Sequence, residues 1–339
     1  MGAAATVRCR WTWPANCSSW TNEQGGNVKK IAFLFPGQGS QKVGMGQDLF
    51  QAHDFVKELF GAADRATGLP ITQLCFQGPM ETLTETVNLQ PAITVVNLAC
   101  LSVLQEKGIQ PTVCAGHSLG EYSALCAAGV VSAADSLKLV HKRGELMQRE
   151  ATRHQGAMSA VVGLSIDQVN AIVAMAAAQG VVAVANHNSA DQIVITGAPE
   201  AVKAAGEAAA AQGARAIPLK VSGAWHSPLI QGAEAEFKAF LDTVTFQAPK
   251  CPVIHNVTAD TAADPQAIPA LMARQLCSPV RWYDTMTRMV AQGIEVYVEI
   301  GPGKVLTGLL KKVVPAAGGA RVYNVSDAAS LEKFIQSEA

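Results

Sequence analysis

Ser118 lies at the centre of the stretch GHSLG, residues 116–120, which fits the pattern Gly-x-Ser-x-Gly. In this pattern the serine occupies a sharp turn between a strand and a helix, and small flanking residues give the turn room. The turn lifts the hydroxyl above the sheet at the helix N-terminus, where free backbone N–H groups can bind a developing oxyanion. The pattern predicts a nucleophile. A serine that only caps the helix is the alternative interpretation.

A nucleophilic serine needs a general base, and the sequence has seven histidines. His226 is the preferred candidate because it lies in VSGAWHSPL, between a predicted strand and a predicted helix, where a loop can return to the edge of the sheet. His117 adjoins the serine, but its side chain should diverge from it at the turn. His53, His141 and His154 lie in polar helical surroundings, which are typical of solvated histidines. A capping or packed role is the alternative for His226.

Arg143 falls on the apolar face of a helix predicted over residues 132–150. Ser132 and Asp135 have the spacing of a capping box at the start of this helix. Burying a guanidinium without a partner is costly, so we expect Arg143 to contact an anion. A carboxylate of the protein would satisfy it, and so would a substrate carboxylate held by both arms of the guanidinium. Both interpretations stay open on the residues alone.

The elements that must position these residues follow an α/β pattern. Short apolar runs without alternation are typical of strands buried on both faces of a parallel sheet, and helical patterns lie between them; these runs are 31–35, 112–115, 252–257 and 296–300. Residues 156–221 instead predict the order β-α-β-β-α-β of a ferredoxin-like unit. We therefore expect a ferredoxin-like subdomain, 153–222, inserted into a core formed by 30–152 and 223–335.

Composition and charge argue against several functional classes. The chain of 339 residues is 49% hydrophobic, which suits one large globular domain or two smaller ones. Its formal net charge of -1 argues against nucleic acid or lipid surfaces as partners, and we expect no apolar run long enough to span a membrane. No pair among the eight cysteines has the C-x-x-C spacing of a zinc or redox site, and most lie in apolar segments, which predicts small core residues in a reducing compartment.

Residues 1–29 differ from the rest of the chain. They hold three tryptophans and a single acid, and they show neither a helical nor a strand period. We expect a disordered leader or a start codon placed too early, with a transit peptide as the minority interpretation.

Seven segments in order resemble a single family: FPGQGSQ, LQPA, GHSLGE, KRG, AWHS, RQLCSPVRW and EIGPGKVLTGL. Residues 30–335 are similar to the malonyl-CoA:acyl carrier protein transacylases of fatty acid synthesis. The resemblance implies a hydrolase-like parallel-sheet core with a ferredoxin-like insert. It also implies transfer of a malonyl group from malonyl-CoA to the phosphopantetheine thiol of acyl carrier protein. The enzyme would be a cytoplasmic monomer without a cofactor or metal.

The resemblance also implies a Ser–His dyad that dispenses with the acid of hydrolases. Ser118 matches the nucleophile that becomes acylated, and His226 matches its general base. Gln275 matches the residue whose backbone carbonyl orients the histidine.

Substrate-binding roles follow from the same resemblance. Arg143 matches the arginine that pairs with the malonyl carboxylate, which would account for its predicted burial. Gln38 and Leu119 match the two residues whose backbone N–H groups form the oxyanion hole. Related acyltransferases commonly have phenylalanine where this chain has Trp225, and a bulky aromatic there should favour malonyl over methylmalonyl groups.

Two other functions stay open at this point. A serine esterase or lipase usually has an acid between the serine and the histidine in chain order, and Asp191 could fill that role from an apparent hairpin. A non-catalytic scaffold that binds a carrier protein would keep the fold without forming an acyl-serine.

Overall fold

The computed structural model describes residues 29–314 and 319–338. Of the predicted leader only Lys29 falls within this range, and its Nζ lies 3.2 Å from the carboxylate of Glu338. The remainder of the predicted leader lies outside the described residues.

The described strands form two separate sheets. They are β1 (Ile31–Phe35), β2 (Val113–Gly116), β3 (Ala157–Val162), β4 (Val182–Ser189), β5 (Gln192–Gly197), β6 (Arg215–Pro218), β7 (Val253–His255), β8 (Asp260–Thr261), β9 (Val296–Ile300) and β10 (Arg321–Val325).

The described α-helices are α1 (Gln47–Ala52), α2 (Asp54–Thr67), α3 (Ile71–Gln77), α4 (Met80–Thr84), α5 (Thr86–Glu106), α6 (Gly120–Ala127), α7 (Ala133–Arg153), α8 (Ile166–Ala176), α9 (Pro199–Ala211), α10 (Glu234–Leu241), α11 (Ile268–Gln275), α12 (Trp282–Ala291), α13 (Val305–Leu310) and α14 (Ala328–Glu338). Two short 3₁₀ helices span Ala177–Gln179 and Pro228–Ala233.

The larger sheet has the strand order β10-β9-β1-β2-β7-β8. Its pairings are parallel except that of β7 with β8. Strands with both faces covered read as continuous apolar runs, which is why the four predicted core strands could be recognised. The strand predicted over 252–257 is limited to Val253–His255, and the side chain of Asn256 that follows it bonds the backbone of Gly116 and Ser118.

The smaller sheet has the order β4-β5-β3-β6 and its pairings are antiparallel. With α8 and α9 packed against it, the chain order is β-α-β-β-α-β, as predicted. Strand β4 also bonds to the core: the N–H of His187 donates to the carbonyl of Val280 (2.9 Å), and the N–H of Val280 donates to the carbonyl of Ala185 (2.8 Å). The predicted fold class, a parallel-sheet core with a ferredoxin-like unit, is confirmed. The predicted subdomain limits stay a prediction.

Helix α5 corrects one expectation from the sequence. By length and composition it could cross a membrane, with a mean hydropathy of 1.6 over an 18-residue window, although we expected no such run. Within the protein 89% of that window is buried, so α5 is a core helix that packs against α2, α6 and α7.

Helix α7 begins with a cap that differs slightly from the predicted capping box. The hydroxyl of Ser132 accepts a hydrogen bond from the backbone N–H of Asp135 (3.0 Å), as expected. The Asp135 carboxylate accepts from the same hydroxyl instead of returning to the backbone of Ser132. Aspartate is one methylene shorter than the glutamate that usually closes this motif. The helix then carries Arg143 inward and ends at Arg153.

Candidate active site

The turn that carries Ser118 joins β2 to α6, and its backbone is strained. Ser118 has a φ of 50°, in the left-handed region that side chains rarely adopt. A Cβ at Gly116 would lie 1.9 Å from the carbonyl carbon of Gly120, and one at Gly120 would lie 2.0 Å from the carbonyl oxygen of Phe35. Both glycines are therefore required for the turn to form against β1. Strain of this kind costs about 1–3 kcal/mol and clusters at functional sites.

His226 lies next to the serine and is held in one orientation. Its Nε2 is 2.7 Å from Ser118 Oγ. Its Nδ1 faces two backbone carbonyls, those of Gln275 (2.9 Å) and Ser278 (3.1 Å). Carbonyls only accept, so Nδ1 carries the proton and Nε2 offers a lone pair to the serine hydroxyl. The contact of Gln275 is the predicted one, whereas that of Ser278 was missed.

The surroundings of His226 keep its imidazole neutral. Its side chain is buried, and this burial, followed by the positive charge of Arg143, lowers the pKa of His226 to about 3. The two carbonyls at Nδ1 oppose this shift. A neutral imidazole is the form that can accept the serine proton.

Within residues 29–314 and 319–338, no acid completes the pair in the manner of a hydrolase. Among the described residues, no carboxylate lies within ion-pair distance of His226. Carboxylates lie within that distance of three other histidines, His53, His141 and His255. Asp191 accepts from the Ser189 hydroxyl (2.8 Å) and lies 3.5 Å from Lys312. Ser118 and His226 thus form a hydrogen-bonded pair supported by backbone carbonyls, and its role as a catalytic Ser–His dyad stays a prediction.

Arg143 is 2% exposed and reaches the serine with one arm. Its Nη2 donates to Ser118 Oγ (3.1 Å) and to Gln275 Oε1 (3.2 Å), and its Nη1 donates to Gln90 Oε1 (3.0 Å). The guanidinium carbon lies 5.7 Å from the centre of the Tyr122 ring. Burial lowers the pKa of Arg143 below its ordinary value.

The partners of Arg143 are neutral. Its guanidinium forms no ion pair with a carboxylate in the part of the chain that the structure describes. Its Nε has no hydrogen-bond partner there either. No protein carboxylate among the described residues contacts this arginine directly, although the nearby charge of Glu121 opposes the lowering of its pKa, and the site presents a buried positive charge beside Ser118. Sequence reasoning missed Gln90, whose signal was a polar side chain inside the apolar run of α5.

Gln38 and Leu119 lie on two loops that touch. A Cβ at Gly37 would lie 2.5 Å from the carbonyl oxygen of His117 and 3.5 Å from the backbone nitrogen of Leu119. Among the backbone hydrogen bonds of residues 29–314 and 319–338, none has the N–H of Gln38 or Leu119 as donor. Two such donors beside a nucleophile suit an oxyanion. The oxyanion hole itself stays a prediction.

Asn256, at the end of β7, fastens the turn and was missed from the sequence. Its Oδ1 accepts from the backbone N–H of Ser118 (2.7 Å), and its Nδ2 donates to the carbonyl of Gly116 (2.7 Å). The available signal was a polar residue at the carboxyl end of a buried parallel strand, where α/β proteins place their sites.

His117 points away from the dyad, as predicted. Its Nε2 lies 2.8 Å from Oδ1 of Asn188 in β4, and its ring meets Trp282 edge-on at 5.4 Å between centroids. The side chain before the nucleophile therefore bonds the core to the smaller sheet. Burial lowers the pKa of His117.

A cavity of about 620 Å³ lies at the other end of α6, and none of the residues around Ser118 lines it. Its wall includes Glu106 and Asp135 but neither lysine nor arginine. Such a cavity does not suit an acidic substrate. In the described part of the chain, no group of three or more histidine, cysteine and acidic side chains is arranged to hold a metal ion.

Comparison with known proteins gives consistent matches. Residues 32–336 match the family model for the acyl transferase domain. The chain is 42% identical over 312 residues to the malonyl CoA-acyl carrier protein transacylase of Bacillus subtilis, with 91% of this chain and 98% of that protein covered. It is also 42% identical over 308 residues to the transacylase of the same name from Escherichia coli K12, with 90% and 100% covered.

Two solved structures are similar over nearly the whole fold. An acyl carrier protein S-malonyltransferase from Vibrio cholerae has a TM-score of 0.85 and 44% identity, covering 90% of this chain and 100% of that one. A malonyl-transacylase solved in complex with its type II polyketide synthase acyl-carrier protein has a TM-score of 0.87 and 39% identity, covering 91% and 100%.

Proposed function

We propose that this chain, which belongs to the acyl transferase family, transfers a malonyl group from malonyl-CoA to acyl carrier protein. Its relatives from Bacillus subtilis and Escherichia coli are malonyl CoA-acyl carrier protein transacylases. The observation that carries this proposal is the buried Arg143, which has no carboxylate partner among the described residues and lies 3.1 Å from Ser118 Oγ. A charged, two-armed donor beside the nucleophile selects an acyl group that ends in a carboxylate.

The first half of the reaction acylates the serine. His226 Nε2 takes the hydroxyl proton as Ser118 Oγ attacks the thioester carbonyl of malonyl-CoA. The backbone N–H groups of Gln38 and Leu119 stabilise the oxyanion, and one such donor contributes about 2.7–4 kcal/mol. The C–S bond then breaks, the histidine gives its proton to the departing thiolate, and malonyl-serine and free coenzyme A result.

The second half repeats the chemistry with a different thiol. The phosphopantetheine thiol of acyl carrier protein attacks the malonyl-serine carbonyl and gives its proton to His226. The serine oxygen leaves and recovers that proton. Arg143 holds the malonyl carboxylate through both halves, so the same carbonyl stays between the dyad and the oxyanion donors.

This cycle needs no cofactor or metal, because the partner carries the thiol that accepts the acyl group. Acyl carrier protein is the proposed macromolecular partner, and the transfer serves fatty acid synthesis. We also propose that the enzyme acts as a monomer in the cytoplasm.

Mass spectrometry after incubation with malonyl-CoA tests the proposal. We expect a malonyl adduct on Ser118 that disappears when phosphopantetheinylated acyl carrier protein is added, and no adduct in Ser118→Ala. Absence of the adduct from the wild-type protein would instead indicate a non-catalytic scaffold. Hydrolysis that acyl carrier protein does not change would indicate an esterase.

A further inference from the structure

Glu121 is a buried acid that the proposed cycle does not use. It lies in the first turn of α6 and is 1% exposed. Its Oε1 is 2.7 Å from Nδ1 of His255, and its Oε2 accepts from Nε2 of Gln275 (2.7 Å) and from the backbone N–H of Asn256 (3.2 Å). No lysine or arginine among the described residues forms an ion pair with it. Two of the three partners of this carboxylate, Gln275 and Asn256, also bond the turn that carries Ser118.

Glu121 decides which way the side-chain amide of Gln275 faces. Nε2 of Gln275 donates to Glu121 Oε2 and to the backbone carbonyl of Ser118 (2.9 Å), and both of these groups only accept. A reversed amide would direct its oxygen at two acceptors. The amide oxygen is consequently left to face Arg143 Nη2 at 3.2 Å.

The result is a chain of three groups from the buried carboxylate of Glu121 to the buried guanidinium of Arg143. The carboxylate of Glu121 polarises the amide of Gln275, and the amide oxygen accepts from the guanidinium of Arg143. Charged ends strengthen the hydrogen bonds between them in a low-dielectric interior. The same carboxylate also bonds the backbone of Asn256, whose side chain holds the strained turn at Ser118.

We propose that Glu121 is a positioning residue for malonyl transfer, which acts through Gln275 to fix the guanidinium of Arg143 beside the nucleophile. This inference rests on the proposed function. It assigns to the last residue of the GHSLGE segment a role in acyl selection, although its side chain does not touch the reacting atoms.

The ratio of kcat/KM for malonyl-CoA to that for acetyl-CoA tests this role. Acetyl groups have no carboxylate for Arg143 to hold, so a loss of guanidinium alignment lowers the ratio, whereas a general loss of folded enzyme lowers both rates equally. We expect Glu121→Gln to reduce the ratio about tenfold, because a charge-assisted hydrogen bond is replaced by a weaker one to a neutral amide. An unchanged ratio in folded Glu121→Gln would overturn the proposal.

Two further variants sharpen the measurement. Gln275→Met keeps the backbone carbonyl that orients His226 but removes the amide, and it should reduce the ratio by a similar factor. Adding Glu121→Gln to Gln275→Met should reduce the ratio little further, because both changes break one connection. A wild-type ratio in Gln275→Met would contradict the proposal whatever the Glu121 variants do.

Glu150→Gln is the matched control. Glu150 is also 1% exposed, but it pairs with Arg149 and Arg153. Its loss should lower the melting temperature and leave the malonyl-to-acetyl ratio unchanged. If Glu121→Gln does not fold, Glu121→Asp serves instead, because it keeps the charge but moves it away from Gln275. A reduced malonyl-to-acetyl ratio in folded Glu121→Asp supports the proposal, and an unchanged ratio overturns it. Failure of the proposed function itself is recognised separately, by the absence of a malonyl adduct in the wild-type protein.

Discussion

Replacing Arg143 with methionine should separate acyl selection from stability. The substitution removes the charge while keeping a side chain of similar reach in a position that is 2% exposed. If the guanidinium serves the malonyl carboxylate, malonyl transfer should be lost while the fold survives. If it serves the fold, the protein should unfold.

The magnitude of the kinetic effect follows from the burial of the pair. Removing one partner of a buried, hydrogen-bonded charge pair costs about 2–5 kcal/mol, which is about 30- to 5,000-fold in kcat/KM for malonyl-CoA. Acetyl-CoA has no carboxylate, so its kcat/KM should stay constant or rise.

The effect on stability should be small because two contributions oppose each other. Replacing a buried charge with an apolar side chain is neutral or stabilises by about 1–4 kcal/mol. The amide oxygens of Gln90 and Gln275 then lose a donor, at about 1–3 kcal/mol for each buried acceptor left unpaired. At the middle of these ranges, a gain of about 2 kcal/mol stands against a loss of about 4 kcal/mol, so we expect the free energy of unfolding to fall by about 2 kcal/mol.

Steady-state kinetics with both thioesters and urea denaturation measure the two quantities on the same preparation. Lys142→Ala is the control, because it removes the positive charge next to Arg143 in the chain. Lys142 lies on the outer face of α7, where it pairs with Glu145 of the same helix and with Glu236 of α10. It should leave the malonyl-to-acetyl ratio unchanged. A folded Arg143→Met with wild-type preference for malonyl would refute the assignment of this arginine to the substrate.

Three further predictions concern the dyad, the turn and the acyl pocket. The pKa of His226 is lowered to about 3 in the folded protein, so between pH 6.5 and 3 the unfolded chain binds more protons than the folded protein does. As the pH falls from 6.5 towards 3, the free energy of unfolding should therefore fall by up to about 1.4 kcal/mol per pH unit. Urea denaturation across that range should show a shallower slope for His226→Gln, and equal slopes would contradict the shift. Gly120→Ala places a Cβ 2.0 Å from the Phe35 carbonyl and should abolish the adduct and lower the melting temperature, whereas Gly308→Ala, with open space around its Cβ, should do neither. Trp225→Ala should raise methylmalonyl transfer relative to malonyl in competition assays, and an unchanged ratio would remove the indole from acyl selection.

The fold was largely predictable because its elements have strong local signatures. Strand β1 is a five-residue apolar run that ends at proline and glycine, and the nucleophile turn carries glycines that no other residue can replace. The β-α-β-β-α-β order could be followed from alternating strand and helix patterns. These signals lie within a few residues of each other in the chain.

Much of the site was not predictable because its contacts join distant segments. Asn256 bonds a backbone 138 residues away, and Glu121 contacts Gln275 across 154 residues. The Ser278 carbonyl that shares the His226 proton is a backbone group, so its residue type carries no signal. The expectation of no apolar run long enough to span a membrane was wrong for α5, and only its tertiary packing identifies it as a core helix.

Two links between the smaller sheet and the core limit how far the smaller sheet can move and how acyl specificity can evolve. His117, beside the nucleophile, bonds Asn188 of β4, and Val280 of the core exchanges two backbone hydrogen bonds with the same strand. A subdomain joined to the core only by its connecting segments could swing open like a lid. Here β4 would first have to break its bonds to His117 and Val280. New acyl preferences should therefore evolve by exchange of side chains around Ser118 and not by movement of the smaller sheet. Chimaeras with a foreign insert should fail unless that insert has an asparagine at the position of Asn188.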